Sequence, residues 1–457
     1  MIQLYNTLTR QKEEFKSIKS GAISMYHCGP TVYNYAHLGN LRAYVFADLL
    51  RRLFEYQNFK VKQVMNITDV GHLSDDADSG EDKMTKALKR ESKPLTLESM
   101  AELADFYTQA FLSDLEALNI LTPDYLPKAS EHISDDIETI KKLETKGFSY
   151  QTSDGVYFSV GKLKTYGKLG GLNPKSTQSR IAVNPEKQDQ RDFTLWKFDK
   201  ELGWESPWGK GFPGWHIECS AMSEKYLGQP FDIHTGGIDH IPVHHNNEIA
   251  QSESANGRPL ANFWLHSAFL NLASGEKMAK SEDNFLTINS LRKLGIDPLS
   301  YRYLLLTVHY QSPLNFTTEA LKGAEVALKR LRDLVSSTES VGQINSDYQN
   351  RFRDFTSDNL DLPKALALAW ELVRDEKISA PDKKATLLDF DRVFGLGLAK
   401  IEKLTVPDNV LALVKERQSA RDQSDWAKAD TLRKQIEEMG FEVLDTRSGQ
   451  EIKKADH

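Results

Sequence analysis

The chain has 457 residues, more than one hydrophobic core usually organises, so we expect two to four domains of roughly 100–200 residues each. Its hydrophobic fraction of 40% and charged fraction of 27% are typical of a soluble globular protein, and no apolar run approaches the ~20 residues needed to cross a bilayer. The net charge of −7 argues against indiscriminate nucleic-acid binding, so any RNA contact must come from local basic patches. Residues 1–14 lack the apolar core of a signal peptide, and we expect a cytoplasmic chain without a membrane anchor.

The first elements in the chain predict the start of a parallel sheet. Residues 21–28 have the pattern of a short strand that ends in Gly-Pro, residues 38–56 show apolar positions at helical spacing, and residues 60–67 have the pattern of a second strand. Such a βαβ unit has its ligand site at the carboxyl ends of the strands. The residues expected there are Cys28, His37 and Thr68.

The pattern changes after the first hundred residues. From residue 118 to residue 210 it indicates a helix, short strands and a loop rich in Gly, Asn and Lys, inserted within the sheet domain. Another strand is expected at residues 231–234, and the region after Pro298 is helical in pattern as far as Lys403. The tail predicts a helix pair, a strand and a turn. Four tryptophans that fall close together and indicate a packed junction are Trp196, Trp204, Trp208 and Trp215.

Two short motifs have the residue types that handle ATP. In His37-Leu38-Gly39-Asn40, Gly39 lets the backbone approach a nucleotide and His37 can donate to phosphate oxygens at a helix start. In Lys277-Met278-Ala279-Lys280-Ser281, two mobile lysines can neutralise charge on a departing pyrophosphate. Each motif alone is weak evidence of ATP binding, because short matches arise by chance. In this order and at this separation, however, the two motifs resemble the ATP motifs of class I aminoacyl-tRNA synthetases.

The chain has two cysteines, Cys28 and Cys219, too few for a zinc ribbon, and a cytoplasmic location argues against a structural disulfide. Two buried apolar cysteines are the simplest interpretation. However, His244 and Glu248 are four residues apart and share one face of a helix, and thiol, imidazole and carboxylate groups are all zinc ligands. Spacing leaves three alternative histidine ligands open, namely His234, His240 and His245.

Five motifs, in order along the whole chain, resemble those of the cysteinyl-tRNA synthetase family. They are Cys28-Gly29-Pro30-Thr31-Val32-Tyr33-Asn34-Tyr35-Ala36-His37-Leu38-Gly39-Asn40, Asn66-Ile67-Thr68-Asp69-Val70, Gly214-Trp215-His216-Ile217-Glu218-Cys219-Ser220-Ala221-Met222, His244-His245-Asn246-Asn247-Glu248 and the lysine motif ending at Ser281. The resemblance implies one zinc ion per chain that binds the substrate thiolate. It implies the metal ligands Cys28, Cys219, His244 and Glu248.

The resemblance also implies where the other substrates bind. The residues implied for catalysis are His37, Asn40, Lys277 and Lys280. Those implied for ATP, which arrives with Mg²⁺, are Pro30, Thr31, His37, Gly39, Asn40, Asp239, Lys277, Lys280 and Ser281. Those implied for the cysteine pocket are Gly29, Thr68 and Trp215. A metal–thiolate bond suits this task, because a pocket of matched shape separates serine from cysteine by only ~1–3 kcal/mol.

The implied fold is an α/β Rossmann-type catalytic domain with an inserted connective domain, followed by an α-helical bundle and a small mixed α/β C-terminal module. The predicted segments are 1–117 (catalytic domain, first half), 118–210 (connective insertion), 211–316 (second half and stem-contact region), 317–404 (helical tRNA-binding bundle) and 405–457 (anticodon-recognition module).

Three positions depart from the family pattern. Ala279 and Asn246 stand where the family commonly has serine and glutamate. An acidic stretch, residues 74–82, lies where the family has an Asp-Asp-Lys run soon after Thr-Asp-Val. His72 with nearby aspartates can hold a second ion, although a solvated loop is the simpler interpretation of this stretch.

The tail has arginine and indole groups on a helical pattern, and such groups stack on the unpaired bases of RNA loops. The resemblance implies contact with the anticodon, whereas composition alone favours a solvated helix. The residues concerned are Arg417, Arg421, Trp426, Asp430 and Arg433.

We therefore expect a monomeric cysteine–tRNA ligase whose partners are ATP, L-cysteine and tRNA(Cys). Cysteine and ATP would form cysteinyl-adenylate, and the 3′-terminal adenosine of the tRNA would then take the cysteinyl group. The alternatives are a cysteine ligase that acts on an amino sugar and a non-catalytic RNA-binding paralogue.

Overall fold

The computed structural model describes residues 1–71, 83–170, 184–272, 286–400, 406–446 and 449–454. The strands are β1 (Gln3–Asn6), β2 (Gln11–Glu14), β3 (Ala22–His27), β4 (Lys60–Met65), β5 (Ser149–Gln151), β6 (Gly155–Phe158), β7 (Phe193–Phe198), β8 (Gly211–Pro213), β9 (Phe231–Gly237), β10 (Ala261–Ser267), β11 (Leu270–Leu272), β12 (Leu314–Phe316), β13 (Phe441–Thr446) and β14 (Gly449–Lys454).

The helices are α1 (Leu38–Tyr56), α2 (Lys83–Arg90), α3 (Leu97–Ala117), α4 (Ile133–Thr145), α5 (Trp215–Leu227), α6 (Asn246–Asn256), α7 (Ile288–Lys293), α8 (Pro298–Leu306), α9 (Thr318–Ser337), α10 (Ser346–Ser357), α11 (Leu362–Arg374), α12 (Ala380–Phe394), α13 (Asp408–Asp422) and α14 (Trp426–Glu438). Short 3₁₀ helices lie at Ala129–His132, Val160–Lys162, Ile238–His240 and Leu398–Lys400, and a π-helical turn lies at Ile241–His245.

The central sheet has the order β10-β9-β3-β4, and all its strands are parallel. Side chains alternate across it, so that Met25 and Met65 enter one hydrophobic core while Tyr26 and Val64 enter another. Helix α1 contributes to the first core, and α5 to the second. The predicted strands at 21–28 and 60–67, the helix at 38–56 and the parallel pairing are confirmed, and the strand predicted at 231–234 extends to Gly237.

In chain order, α4 and an antiparallel sheet of order β5-β6-β7-β8 come after β4 and before β9. Three of the four tryptophans share one hydrophobic core, in which Trp196 is buried and against which Trp204 and Trp208 pack. Trp196 is buried with its ring centroid 6.4 Å from that of Trp208, whereas Trp204 packs on Phe212. Trp215 lies elsewhere, against a histidine of the cavity described below.

Helices α9 to α12 share one hydrophobic core with the α1 side of the central sheet. A buried guanidinium reinforces this junction, because Arg302 donates to the carbonyls of Phe394 (2.6 Å) and Leu118 (3.0 Å) and pairs with the Asp48 carboxylate. The predicted helical pattern after Pro298 is confirmed, apart from β12, which pairs with β11.

The C-terminal elements form a small unit with its own core of Val410, Ile436, Phe441 and Val443. Helices α13 and α14 precede the antiparallel pair β13 and β14, which confirms the helix pair and the strand; of the predicted turn, Ser448 lies outside the described residues. Among the residues described, no helix is both long enough and apolar enough to span a membrane.

Candidate active site and metal centre

A cavity of about 440 Å³ opens at the carboxyl ends of the central strands, where parallel sheets bind ligands. The segments that leave β3 and β4 stay side by side, because Thr68 N donates to the Pro30 carbonyl (3.0 Å) and Val32 N donates to the Thr68 carbonyl (3.1 Å). Most of the predicted site residues face this cavity. Those that line it are Cys28, Gly29, Pro30, Thr31, His37, Gly39, Asn40, Thr68, Trp215, Cys219, Asp239 and His244.

The start of α1 lies at this cavity and is held by a reciprocal cap. His37 Nδ1 accepts a hydrogen bond from Asn40 N (3.0 Å), and Asn40 Oδ1 accepts one from His37 N (3.4 Å). A side chain at Gly39 would begin 3.0 Å from the His37 ring, so glycine leaves room for this arrangement. The cap fixes both polar side chains at a helix N-terminus, which favours bound anions such as phosphate.

Glycine at position 29 has a packing reason of its own. A Cβ atom there would lie 1.6 Å from the Asn66 carbonyl oxygen, so any larger residue would push the two chain segments apart. The Gly29 N–H also donates to Asn66 Oδ1 (2.8 Å).

Four buried side chains beside the cavity form a group that can hold a metal ion. One ligand atom from each of Cys28, Cys219, His244 and Glu248 lies within 4.8 Å of the others. Cys28 follows β3, Cys219 lies in α5, His244 lies in the π-helical turn, and Glu248 lies in α6. Both cysteines belong to the described part of the chain and form no disulfide.

A second group shares two of these residues. Cys28 and Glu248 also meet His234 and His245, with His234 Nε2 2.8 Å from Glu248 Oε2 and His245 Nε2 3.3 Å from Cys28 Sγ. His240 belongs to neither group in the described structure. The first group faces the cavity with three of its four members, whereas His234 and His245 do not line it. The first group is therefore the better placed to meet a substrate.

The charges of this group favour a bound cation. The hydrogen bond with the Cys28 thiol, helped by His244, lowers the pKa of Cys219 to about 6. Burial alone would lower the pKa of His244, but the Glu248 carboxylate and Cys219 outweigh it and raise this pKa to about 10. Burial would likewise raise the pKa of Glu248, yet His234 and His244 hold it well below its usual range. The imidazolium thus balances a thiolate and a carboxylate, a role that a divalent ion takes over when it displaces the protons of its ligands.

A hydrogen-bonded chain of polar groups supports Thr68 on the cavity wall. The Thr68 hydroxyl donates to Glu218 Oε2 (3.2 Å) and accepts from Asn66 Nδ2 (3.0 Å). Trp215 lies nearby with its ring centroid 4.6 Å from that of His244. The Lys83 ammonium lies 5.3 Å from the Trp215 ring, and cation–π contact of this kind helps to fix the indole.

The predicted RNA-binding residues of the tail differ in exposure. Arg417 is buried, and its guanidinium pairs with both oxygens of Asp445 at 3.0 Å. Trp426 is 58% exposed, with the Arg421 guanidinium 5.7 Å from its ring. Asp430 and Arg433 are also exposed. Trp426, Asp430 and Arg433 are therefore accessible to a partner, whereas Arg417 is not and instead holds Asp445 in place.

Comparison with known proteins gives the family. A family model described as the class I (C) tRNA synthetase catalytic domain matches residues 14–326, and one described as the cysteinyl-tRNA ligase anticodon binding domain matches residues 405–452. The chain belongs to the cysteinyl-tRNA synthetase family. It is 47% identical to Cysteine–tRNA ligase 1 of Burkholderia lata, over 99% of this chain and 96% of that protein. It is 40% identical to the Cysteine–tRNA ligase of Treponema denticola, over 98% of both.

Solved structures of more distant relatives share the fold. The methionyl-tRNA synthetase of Mycobacterium tuberculosis bound by methionyl-adenylate is 16% identical, with a TM-score of 0.56 over 82% of this chain and 90% of that one. The Agrobacterium radiobacter LeuRS–tRNA–LeuAMS ternary complex is 10% identical, with a TM-score of 0.57 over 86% and 87% of the two chains. The cysteinyl-tRNA synthetase family member described here therefore has the class I aminoacyl-tRNA synthetase fold.

Some predicted sites lie outside the described residues. They are the ATP-motif residues Lys277, Lys280 and Ser281, with Ala279 among them, and the acidic stretch 74–82 with His72. The roles of the motif residues remain predictions from the family resemblance, and the interpretation of the acidic stretch remains a prediction from its composition.

The structure adds residues that sequence reasoning did not single out. Asn66 and Glu218 lie inside two of the family motifs. Asn66 is a polar residue at the end of a strand, and Glu218 is a carboxylate next to the candidate ligand Cys219, so their positions could have indicated a role in the site. The structure also shows what Asn246 does, a residue that the sequence marks as a departure from the family pattern: it donates to the carbonyls of Gly170 (2.9 Å) and Ile241 (2.7 Å). Its side chain thus joins the insertion to the π-helical turn that presents His244.

Proposed function

We propose that this member of the cysteinyl-tRNA synthetase family activates L-cysteine with ATP and transfers it to the 3′-terminal adenosine of tRNA(Cys). The observation that carries this proposal is that the Cys28, Cys219, His244 and Glu248 group presents three of its members to the same cavity that the capped start of α1 faces. A thiol-selective metal group beside a phosphate-binding helix terminus suits an enzyme that joins cysteine to a nucleotide.

The metal in this proposal is one zinc ion per chain, held by those four residues. When bound, zinc would hold the substrate as a thiolate, a soft anion that serine cannot imitate at neutral pH. The Thr68 hydroxyl and the Trp215 indole would orient the rest of the cysteine molecule, and Gly29 keeps the adjoining backbone close to Asn66.

The nucleotide would lie between the start of α1 and the lysine motif. His37, Asn40 and the backbone around Gly39 would bind ATP phosphates together with Pro30 and Thr31, with Mg²⁺ as the accompanying ion. Asp239 would contact the adenosine. The cysteine carboxylate would attack the α-phosphate, and Lys277 and Lys280, with Ser281 beside them, would neutralise charge on the departing pyrophosphate.

The second step needs tRNA. A hydroxyl of its terminal adenosine would attack the mixed anhydride and release AMP, without a covalent enzyme intermediate. The family match over residues 405–452 supports an anticodon contact by the tail. The exposed residues Trp426, Asp430 and Arg433 and the half-buried Arg421 are suited to that contact, and Arg417 contributes by fixing Asp445.

The domain assignments belong to the same proposal. Residues 1–117 and 211–316 would form the catalytic domain, 118–210 the connective insertion, 317–404 the helical tRNA-binding bundle and 405–457 the anticodon module. The proposed state is a cytoplasmic monomer, which gel filtration of the purified protein and fractionation of cells would check.

The deciding experiment measures two activities with one preparation. Cysteine-dependent exchange between ATP and pyrophosphate reports adenylate formation, and charging of tRNA(Cys) reports the transfer. Removal of residues 406–457 should leave exchange intact and raise the tRNA concentration needed for charging, because that unit has its own core and contains none of the proposed catalytic groups. Exchange without charging in the full chain would favour an amino-sugar ligase, and absence of both would favour a non-catalytic paralogue.

A further inference from the structure

Three aromatic rings form a continuous edge from the protein surface into the cavity. We propose that this aromatic rim, made of Tyr35, Phe106 and Tyr107, docks the unpaired nucleotides at the 3′ end of tRNA as the terminal adenosine enters the cavity. The inference rests on the proposed function and names the surface that its second substrate uses.

The rim combines exposure with mutual contact. Tyr35 is 42% exposed and Phe106 is 56% exposed, and their ring centroids lie 6.3 Å apart. Both rings contact Tyr107 edge to face, with centroids 5.2 and 5.1 Å from its own. Single exposed apolar residues are ordinary on protein surfaces. Among the described residues, however, Tyr35 and Phe106 are the one pair of well-exposed aromatic rings that lie next to each other.

The rim leads into the cavity rather than away from it. Tyr107 lines the cavity, and so do Tyr33 and Asn34, which directly precede Tyr35 in the chain. A ligand that extends out of the cavity on this side therefore meets the Tyr107 ring and then the two exposed rings. The reaction requires the terminal adenosine inside, so the nucleotides next to it must lie at the cavity mouth.

A cation completes the surface. The Arg90 side chain is 45% exposed, and its guanidinium donates to the Tyr33 carbonyl (3.1 Å) and the Tyr107 hydroxyl (3.0 Å). Its ion pair with Glu91 is at the surface, where such pairs are weak and salt-dependent. Aromatic faces beside a guanidinium match unpaired nucleotides, which present a π-face and a phosphate in each repeat.

The rings can be tested one at a time with a matched control. Tyr35→Ala and Phe106→Ala should leave cysteine-dependent pyrophosphate exchange unchanged, which also shows that the variants are folded. Each should lower kcat/KM for tRNA(Cys) charging by ~5- to 150-fold if one base stacks on the ring that is removed. Tyr35→Phe should restore charging, because the ring remains. Tyr125→Ala is the control, since Tyr125 is also 42% exposed but contacts Tyr226 and does not line the cavity.

A binding measurement locates the effect at the 3′ end. Wild-type protein should bind tRNA(Cys) that lacks its last three nucleotides more weakly than intact tRNA(Cys), and the double variant Tyr35→Ala/Phe106→Ala should bind both alike. Normal charging by the double variant, or an equal loss for Tyr125→Ala, would overturn the proposal. A wild-type protein that neither exchanges pyrophosphate nor charges tRNA would instead contradict the proposed function itself.

Discussion

Replacing Thr68 with valine removes one hydroxyl from the cavity wall and nearly preserves the side-chain volume. That hydroxyl donates its proton to Glu218 Oε2 and accepts one hydrogen bond from Asn66 Nδ2. A threonine hydroxyl has two lone pairs, so one remains to accept a hydrogen bond from the ammonium group of a cysteine molecule bound in the cavity. Thr68→Val therefore acts on both the buried chain of polar groups and the substrate.

The two effects have different magnitudes. A hydrogen bond to a charged group contributes about 1.5–3 kcal/mol, so loss of the ammonium contact should raise KM for cysteine by about 10- to 150-fold. Asn66 and Glu218 also lose a partner in a buried site, and each loss costs about 1–3 kcal/mol of unfolding free energy. KM for ATP should change little, because the Thr68 hydroxyl bonds to Asn66 and Glu218 and not to the residues that cap the start of α1.

Pyrophosphate exchange at varied cysteine and varied ATP concentrations checks this prediction, with urea unfolding in parallel. Thr68→Ser is the matched control, because it keeps the hydroxyl and loses only a methyl group. If Thr68→Val and Thr68→Ser had the same KM for cysteine, the role assigned to the hydroxyl would be refuted.

Three further predictions concern other parts of the chain. Cys219→Ser should lose most of the zinc found by elemental analysis and weaken cysteine binding far more than ATP binding; a metal-free wild type that still activates cysteine would exclude the metal role. Lys280→Ala should slow adenylate formation by ~10²–10³-fold with little change in cysteine affinity, and an unchanged exchange rate would mean that the motif has another role. Burial raises the pKa of Asp114 from 3.8 to about 6, so its folded form holds a proton more tightly than the unfolded chain does. Its contribution to stability is fully present below the unfolded pKa of 3.8 and is lost as pH rises through 6. Asp114→Asn should therefore be more stable than wild type by about 3 kcal/mol at pH 8 and by less than about 1 kcal/mol at pH 4. Urea unfolding at both pH values checks this, and an equal difference at both would contradict it.

Local patterns account for the parts of the fold that sequence predicted well. The helix predicted at residues 38–56 has those bounds in the structure, because its apolar spacing is long and regular and His37 and Asn40 cap its start. Strands β3 and β4 are short, but the strand pattern of the first ends at Gly29-Pro30 and that of the second at Thr68-Asp69. The metal group could be predicted for a different reason: a chain with two cysteines offers few combinations of thiol ligands.

Non-local contacts account for what sequence did not reveal. Nothing in the residue pattern shows that Ile241–His245 forms a π-helical turn, because the turn depends partly on Asn246, whose amide also reaches Gly170 in the insertion. The choice between His244 and His245 as a ligand likewise depends on which ring faces the cavity. Arg302 resembles any helical surface arginine in sequence, yet three distant segments bury it.

The strand order of the central sheet also sets the order in which a newly made chain can complete it. Strand β3 pairs with β4 soon after synthesis, but its other neighbour, β9, begins roughly 200 residues after β3 ends. At ~5–20 residues per second, the hydrogen-bonding edge of β3 stays open on the ribosome for about 10–40 s, and Cys28 waits as long for Cys219, His244 and Glu248. An open strand edge is a template for pairing with another chain. We therefore expect nascent chains to be most prone to aggregation during synthesis of the insertion, before the second half of the sheet covers this edge.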